Sequence, residues 1–428
     1  EFIERCRPGE KFNFVQIAPK DEGKTAYLHD SEAALYRHIL NKVMLDNNNV
    51  WISCDTASKV EELERALSHY DHVKCLAITG PNQKKTEQAA FLSNPEHESK
   101  KYNVIIASSV ISSGLSIEHD HFDFVAGFFS GSTVKPTDAY QMIGRVRRCK
   151  DFHLFLSQKH RVEVKAHRML QGRQQASVLE DGVVAEVTAF SKMRAELLET
   201  RYKAISSFAN GLIYVLHQKC FEIKRCNTTL EDYESVIDHQ ANLKLIKEEL
   251  SSEHHQALIA ACPITDTMAE VMKSRSFLDS DELIELEAWH IKKALGYAHE
   301  HTLTDEDLQV SPSKVIRFSA AIGRYKSTND QQKDITSRNY RKALGKIYSI
   351  IFGGVEFAPG AIFYKQCAEE IIERVNRYRF MLVSIGAIPR YFGAENYKPS
   401  KTPAKELNDI LKHLGLNTKR KRNSEKSV

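Results

Sequence analysis

Val104-Ile-Ile-Ala-Ser-Ser-Val-Ile-Ser-Ser-Gly-Leu-Ser-Ile117 and Gln141-Met-Ile-Gly-Arg-Val-Arg-Arg148 decide how this chain is read. The first opens as an apolar strand and breaks into a turn of small residues. The second is a helix pattern carrying Gln-x-x-Gly-Arg-x-x-Arg. Around them, strand and helix signals alternate through residues 1–158, the pattern of an α/β layer with a largely parallel sheet. Residues 12–17 and 25–28 read as strands joined by the polar turn Lys20-Asp-Glu-Gly-Lys24. Asp30 or Ser31 can cap a helix whose apolar stripe is Ala33, Leu35, Ile39 and Val43. Val50-Trp-Ile-Ser-Cys54 is a short buried strand, and residues 59–67 are a helix. Further strands are expected at 73–78, 103–107, 122–129 and 153–156.

Past residue 157 the texture changes to helix signals, at 190–208, 212–218, 230–249, 281–295, 340–351, 368–382 and 405–414. Gly and Pro punctuate them, as in Gly353-Gly354 and Pro359-Gly360. Residues 416–428 form a basic tail with the composition of a disordered segment. The chain has 428 residues, enough for two or three domains with proper cores. Hydrophobic residues make up 42% and charged residues 27%, ordinary for a globular protein. No apolar run approaches the roughly 20 residues that span a bilayer, which argues against a membrane partner. Eight cysteines without a C-x-x-C pair fit a reducing, cytoplasmic setting. The 18 histidines show no metal spacing, and no metal ligand set is expected. Net charge is only +4, so affinity for a polyanion must come from local basic patches.

Arg145 and Arg148, three apart on a predicted helix, project from one face, and Gln141 lies one turn earlier on it. Two planar guanidinium forks on one face suit a shared phosphate, where Lys would serve less well. Gly144 allows close backbone approach. At their spacing the two stretches resemble motifs V and VI of superfamily 2 helicases, which lie in the second of two RecA-like lobes. The resemblance implies a RecA-like parallel-sheet helicase C-terminal lobe of the α/β class followed by a mostly α-helical domain. It implies catalytic roles for Gln141, Arg145 and Arg148 as sensor and arginine fingers at the γ-phosphate of ATP. Arg147 fits the Gly-Arg-Val-Arg form of one subgroup and can stand in for Arg148. In motif V, Ser108, Gly114 and Ser116 occupy the places of the family's Thr, Gly and Asp, so Gly114, Ser116, Gly144 and Arg147 are candidate nucleotide contacts. Ser109 and Ser116 stand where Asp is frequent, which leaves the ribose contacts of this motif open. Residues 50–55 with the following Lys59, Glu62 and Leu63 resemble motif IV. With Thr79-Gly80 after the next strand, Ser53, Thr79, Gly80 and Ser108 become the candidate nucleic-acid contacts.

The form of motif V, and the path through Phe122-Asp-Phe-Val-Ala-Gly-Phe-Phe-Ser-Gly131 to motif VI, is similar to plasmid replication helicases of the cyanobacterial type and to herpesvirus-type origin-binding proteins. Ala261-Cys-Pro-Ile-Thr265 and Leu407-Asn-Asp-Ile-Leu-Lys-His-Leu-Gly-Leu416 add to the plasmid likeness. The resemblance implies an ATP-dependent DNA helicase acting in replication initiation of a plasmid, phage or virus. ATP and Mg2+ would be held mainly by a first RecA-like lobe that this chain is expected to lack. Expected partners are single-stranded or origin DNA, that first lobe and replication proteins; this chain alone is expected not to hydrolyse ATP. The alternative is a non-catalytic DNA-binding initiator or assembly module on a motor-lobe scaffold. Its candidate patches are Arg338-Asn-Tyr-Arg-Lys342 and residues 419–422, although such runs are usually solvated faces. The expected domains are 1–158, 159–415 and 416–428.

Two decoys fall on physical grounds. Ala18-Pro-Lys-Asp-Glu-Gly-Lys-Thr25 satisfies a relaxed phosphate-loop pattern, but Pro19 stiffens it, Asp21 and Glu22 repel phosphate, and Thr25 opens a strand rather than a helix. Asp123 follows motif V, the wrong order for a magnesium ligand. His254-His255 reads as solvent-facing.

Overall fold

The computed structural model describes residues 9–11, 23–70, 72–111, 114–131, 133–157, 165–171, 174, 187–228, 230–308, 314, 365–384, 387–394, 397–400 and 402–416. Packing divides the chain into two compact units, Glu1–Arg161 with Lys203–Trp289, and Val162–Tyr202 with His290–Val428.

The first unit is built on seven parallel strands: β1 Thr25–His29, β2 Val50–Cys54, β3 Cys75–Ile78, β4 Val104–Ala107, β5 Phe124–Phe129, β6 Asp151–Leu156 and β7 Glu222–Cys226. Their order is β3-β4-β2-β5-β6-β1-β7. Every residue of β2, β4 and β5 is buried. That is the signature of parallel strands covered on both faces, and it explains their unbroken apolar runs. This is the α/β RecA-like architecture that the sequence predicts. Both edges of β1 pair with parallel neighbours, β6 and β7. A hairpin partner therefore has no free edge on β1, and residues 12–17, expected to be that strand, lie outside the described residues.

The helices of this unit follow their caps. Ser31 Oγ accepts from Ala34 N at 3.0 Å and starts α1, Glu32–Leu45. Thr56 Oγ1 accepts from Lys59 N at 3.3 Å and starts α2, Ala57–Ser68. α3 (Thr86–Ser93) and α4 (Pro95–Glu98) precede β4, and α5 (Pro136–Ile143) lies between β5 and β6. α6 (Ala189–Ser206) belongs mostly to the second unit, and after it α7 (Phe208–Gln218) sends Phe208 and Leu212 into the sheet's own core. α8 (Leu230–Ala260) adds Leu243 and Ile246 to that core, and His239 meets Tyr36 edge-on at 5.4 Å. It runs beyond the expected end near residue 249. α9 (Asp266–Ser274) and α10 (Ser280–Leu295) pack around Ile264, Ala269, Met272 and Leu278.

β7 is a strand that sequence patterning misses. Its residues Glu-Ile-Lys-Arg-Cys are mostly exposed, as suits the charged edge of a sheet. The sheet thus extends well past residue 158, and Lys203–Trp289 packs with it.

In the second unit, α11 (Asp305–Leu308) is short. α12 (Lys365–Ser384) and α13 (Pro403–His413) bury Ile371, Val375 and Leu382 against Leu407, Ile410 and Leu411, with Phe392 between them. Glu406, 3% exposed, accepts from Tyr397 Oη at 2.5 Å and Ser400 N at 2.7 Å. The expected helix at 340–351, the patch at 338–342 and the basic tail lie outside the described residues. No helix among the described residues is long and apolar enough to cross a membrane.

Candidate nucleotide-contacting site

α5 begins at Pro136, where the missing N–H costs nothing, and Asp138 Oδ2 accepts from Lys135 N at 3.3 Å. It stops at Ile143, with Gly144 as its cap. Arg145 and Arg148 are therefore not on a helix, and the expected common face does not exist. The reason is a competing pairing. Ile117 N donates to Arg145 O, and Arg147 N donates to Ile117 O, each at 2.9 Å. This parallel bridge, Ile117 to Val146, ties the two motifs together. Val146, at the bridge, is 1% exposed, and Arg145 and Arg147 flank it.

They line one cavity of about 370 Å³ with Gln141, Gly144, Gly114 and Lys24, walled by Tyr140, Ile143, Phe152 and Phe221. Arg145 Nη1 donates to Leu115 O at 2.8 Å, and Arg147 Nε to Ser116 Oγ at 3.1 Å. Burial, and then the neighbouring Arg147 guanidinium, pull the Arg145 pKa below its ordinary value. Gly114 has φ +81°, a left-handed turn that side chains rarely adopt, which accounts for glycine at this point of motif V. Arg148 lies outside the cavity. Its Nη1 pairs with Asp120 Oδ2 at 3.1 Å, and the side chain is 62% exposed.

Of the predicted nucleotide set, Gln141, Arg145, Arg147, Gly114 and Gly144 are brought together, and Ser116 orients Arg147. Sequence reasoning missed the cavity roles of Tyr140, Phe152 and Phe221, and gave Lys24 none. Lys24 Nζ sits 5.7 Å from the Phe152 ring centroid and 5.8 Å from that of Phe221. Thr25 does open a strand and the helix that follows it starts at Glu32, so the Lys24-Thr25 pair does not open a helix.

Ser53, Thr79 and Ser108 lie at the carboxyl ends of β2, β3 and β4, which are adjacent in the sheet. Ligands favour that edge of a parallel sheet. Their hydroxyls are engaged inside the fold, however. Ser53, 1% exposed, accepts from Trp51 Nε1 at 3.0 Å. Thr79, fully buried, accepts from Asn82 N at 3.3 Å. Ser108 is also buried, and of the four only Gly80 is exposed. Lys59 is likewise held inward, bonded to Glu62 at 2.5 Å and to Glu32. Asp123 is structural, since its Oδ2 accepts from Asn49 N at 2.7 Å. His254 Nε2 pairs with Glu287 Oε1 at 3.1 Å.

Residues 33–150 match the helicase conserved C-terminal domain. No curated protein matches the chain in sequence. A DEAD box protein from the hyperthermophile Methanococcus jannaschii is similar at 16% identity over 47% of this chain and 41% of its own, with a TM-score of 0.27. The C-terminal domain of S. cerevisiae Dbp5, bound to Gle1, is similar at 13% identity over 52% of this chain and 98% of its own, with a TM-score of 0.27. E. coli DEAD-box protein SrmB gives 18% identity over 39% of this chain and 92% of its own, with a TM-score of 0.23. The chain thus spans less than half the length of the first of these proteins. The residues that match the helicase conserved C-terminal domain, 33–150, carry β2 to β5 of the seven-stranded parallel sheet.

Proposed function

We propose that this chain supplies the arginine-bearing half of an ATP-driven nucleic-acid motor, with Arg145 and Arg147 as the pair that meets the phosphates. The observation that carries this is the convergence of Arg145, Arg147 and Gln141 on one cavity. A polyphosphate fits that chemistry: three cations and an amide line it, with no carboxylate among the described residues. With no carboxylate among the described residues there to hold Mg2+, its ligands and the phosphate cradle would come from an apposed RecA-like lobe. ATP would supply the transferable phosphoryl group. Arg145 and Arg147 would stabilise the charge it develops, held in place by Leu115 O and Ser116 Oγ. Gln141 would hydrogen-bond the nucleotide or the facing lobe. Tyr140, Phe152 and Phe221 would shield those contacts on one side and so strengthen them.

The sequence resemblance supports single-stranded or origin DNA as the track and replication initiation as the setting. The carboxyl ends of β2, β3 and β4 would face the DNA, with Gly80 as the exposed backbone contact. Buried Ser53, Thr79 and Ser108 would shape that edge rather than touch the strand. We place the motor lobe in residues 1–158, to which Glu222–Cys226 adds a strand, a mostly helical domain in 159–415, and a basic tail in 416–428.

The test is DNA-stimulated ATP hydrolysis by the complete motor. Arg145→Ala should lower kcat by about 10³-fold or more while DNA binding persists. Loss of DNA binding with turnover intact would replace the motor reading with the DNA-binding module. Single-stranded RNA serves as the comparison track.

A further inference from the structure

Outside the nucleotide cavity, the fold assembles a cluster with no counterpart in the linear sequence. His29 ends β1, His153 lies on the neighbouring strand β6, and His38 comes from α1, which crosses above them. The parallel register pairs Tyr27 with His153, so His29 and His153 are diagonal neighbours on one face. His29 Nε2 and His153 Nδ1 are 3.1 Å apart, and the His38 ring stacks on His153 with centroids 4.0 Å apart. One ring nitrogen from each of the three lies within 4.8 Å of the others. His38 Nε2 is buried and has no hydrogen-bond partner among the described residues. A buried ring nitrogen left without a partner is costly unless something occupies its lone pair.

We propose that His29, His38 and His153 bind a zinc-class transition-metal ion through their three imidazoles, with solvent in the fourth position. Two nitrogens each about 2.0–2.1 Å from a tetrahedral ion lie roughly 3.3 Å apart, close to the spacing that His29 and His153 already hold. The third nitrogen, on His38, lies within 4.8 Å of the other two. The open side faces a cavity of about 250 Å³ that His29 and His38 line with Asn41 and Thr228. Tyr27, stacked on His153 at 4.7 Å, and Phe124, edge-on to His38 and His153, wall the other sides and fix the rings. Ligating imidazoles must be neutral, and burial favours that form here. It lowers His29 to about 4 and His153 to about 3, with His38 adding to both, and lowers His38 with help from Lys42. The charges nearby are mixed: Arg37 and Lys42 oppose a cation, while Asp30 and Asp46 favour one. Three imidazoles with an open position suit a borderline ion such as Zn2+ rather than Ca2+ or Mg2+, which take oxygen.

The test uses the full chain without a polyhistidine tag, stripped with chelator and titrated with Co2+ and Zn2+ alone. One Co2+ per chain should bind with the intense visible bands of a tetrahedral site, and Zn2+ should displace it. His38→Gln should weaken binding more than about 100-fold, beyond what an outer-shell group contributes. Cys226→Ser and His254→Gln should leave it unchanged. The weak spectrum of an octahedral surface ion, or equal binding by a chain with all three histidines changed to Gln, would overturn the proposal. The wild-type cobalt spectrum decides the matter even if a variant fails to fold.

Discussion

Gly131 to Ala is the most informative structural perturbation, because it tests whether α7 truly packs on the sheet. Gly131 follows β5 with φ +65°, and an added Cβ would stand 2.6 Å from Phe208 Cβ and 2.8 Å from its Cγ. Alanine in the left-handed region costs about 1–2 kcal/mol. Overpacking a well-filled site adds about 1–3 kcal/mol. The single variant should therefore lose about 2–5 kcal/mol. Phe208→Ala, at 2% exposure beside Phe129, should lose about 3–5 kcal/mol on its own. Together the contacts to the ring, at 2.8 Å and 3.3 Å, disappear while the Cβ contact and the backbone strain remain, so the double variant should fall short of the sum by about 1 kcal/mol. Urea unfolding followed by tryptophan fluorescence reads this out, since Trp51 is fully buried between Phe91 and Phe122 in the same core. Additivity within about 0.5 kcal/mol would refute the contact.

Three further outcomes are expected. In chelator, stability should decline as pH falls from 6.5, because the unfolded chain takes up protons that buried His29 and His153 refuse. For His29, held at about 4 against 6.5 unfolded, the loss approaches roughly 3 kcal/mol by pH 4. Melting curves of wild type and His153→Gln should diverge over that window; parallel curves would contradict it. Asp55→Ala should cost about 1–3 kcal/mol, since it removes the acceptor of Ser130 N at 3.0 Å and of its Oγ at 2.8 Å, and an unchanged Tm would count against that. Lys24→Ala should weaken pyrophosphate binding measured by calorimetry, and equal affinity would remove Lys24 from the site.

The central strands were readable because burial on both faces writes them as continuous apolar runs, as in Val104–Ala107. β7 was hidden because an edge strand needs no such run, and its pairing partner lies nearly 200 positions away by register, Thr25 against Glu222. Motifs V and VI were legible as residue types, but the geometry between them was not. Gly144 was the available signal that the helix stops before Arg145. The partner that then holds Arg145–Arg147 is Ile117, a non-local pairing. The histidine cluster was invisible for the same reason: its members come from two strands and a helix, joined only by register and packing. The buried hydroxyls of Ser53 and Thr79 show the reverse case, where a motif position was found but its side chain faces inward.

The arginine arrangement is best tested by comparing Arg147→Ala with Arg148→Ala in nucleic-acid-stimulated ATP turnover by the complete motor. Arg147 shares the cavity with Arg145, whereas Arg148 is an exposed partner of Asp120 whose loss should cost at most about 1 kcal/mol of stability. Turnover should fall by about 10³-fold for Arg147→Ala and stay near wild type for Arg148→Ala. The reverse ranking would contradict the bridge-imposed geometry and restore a helical motif VI.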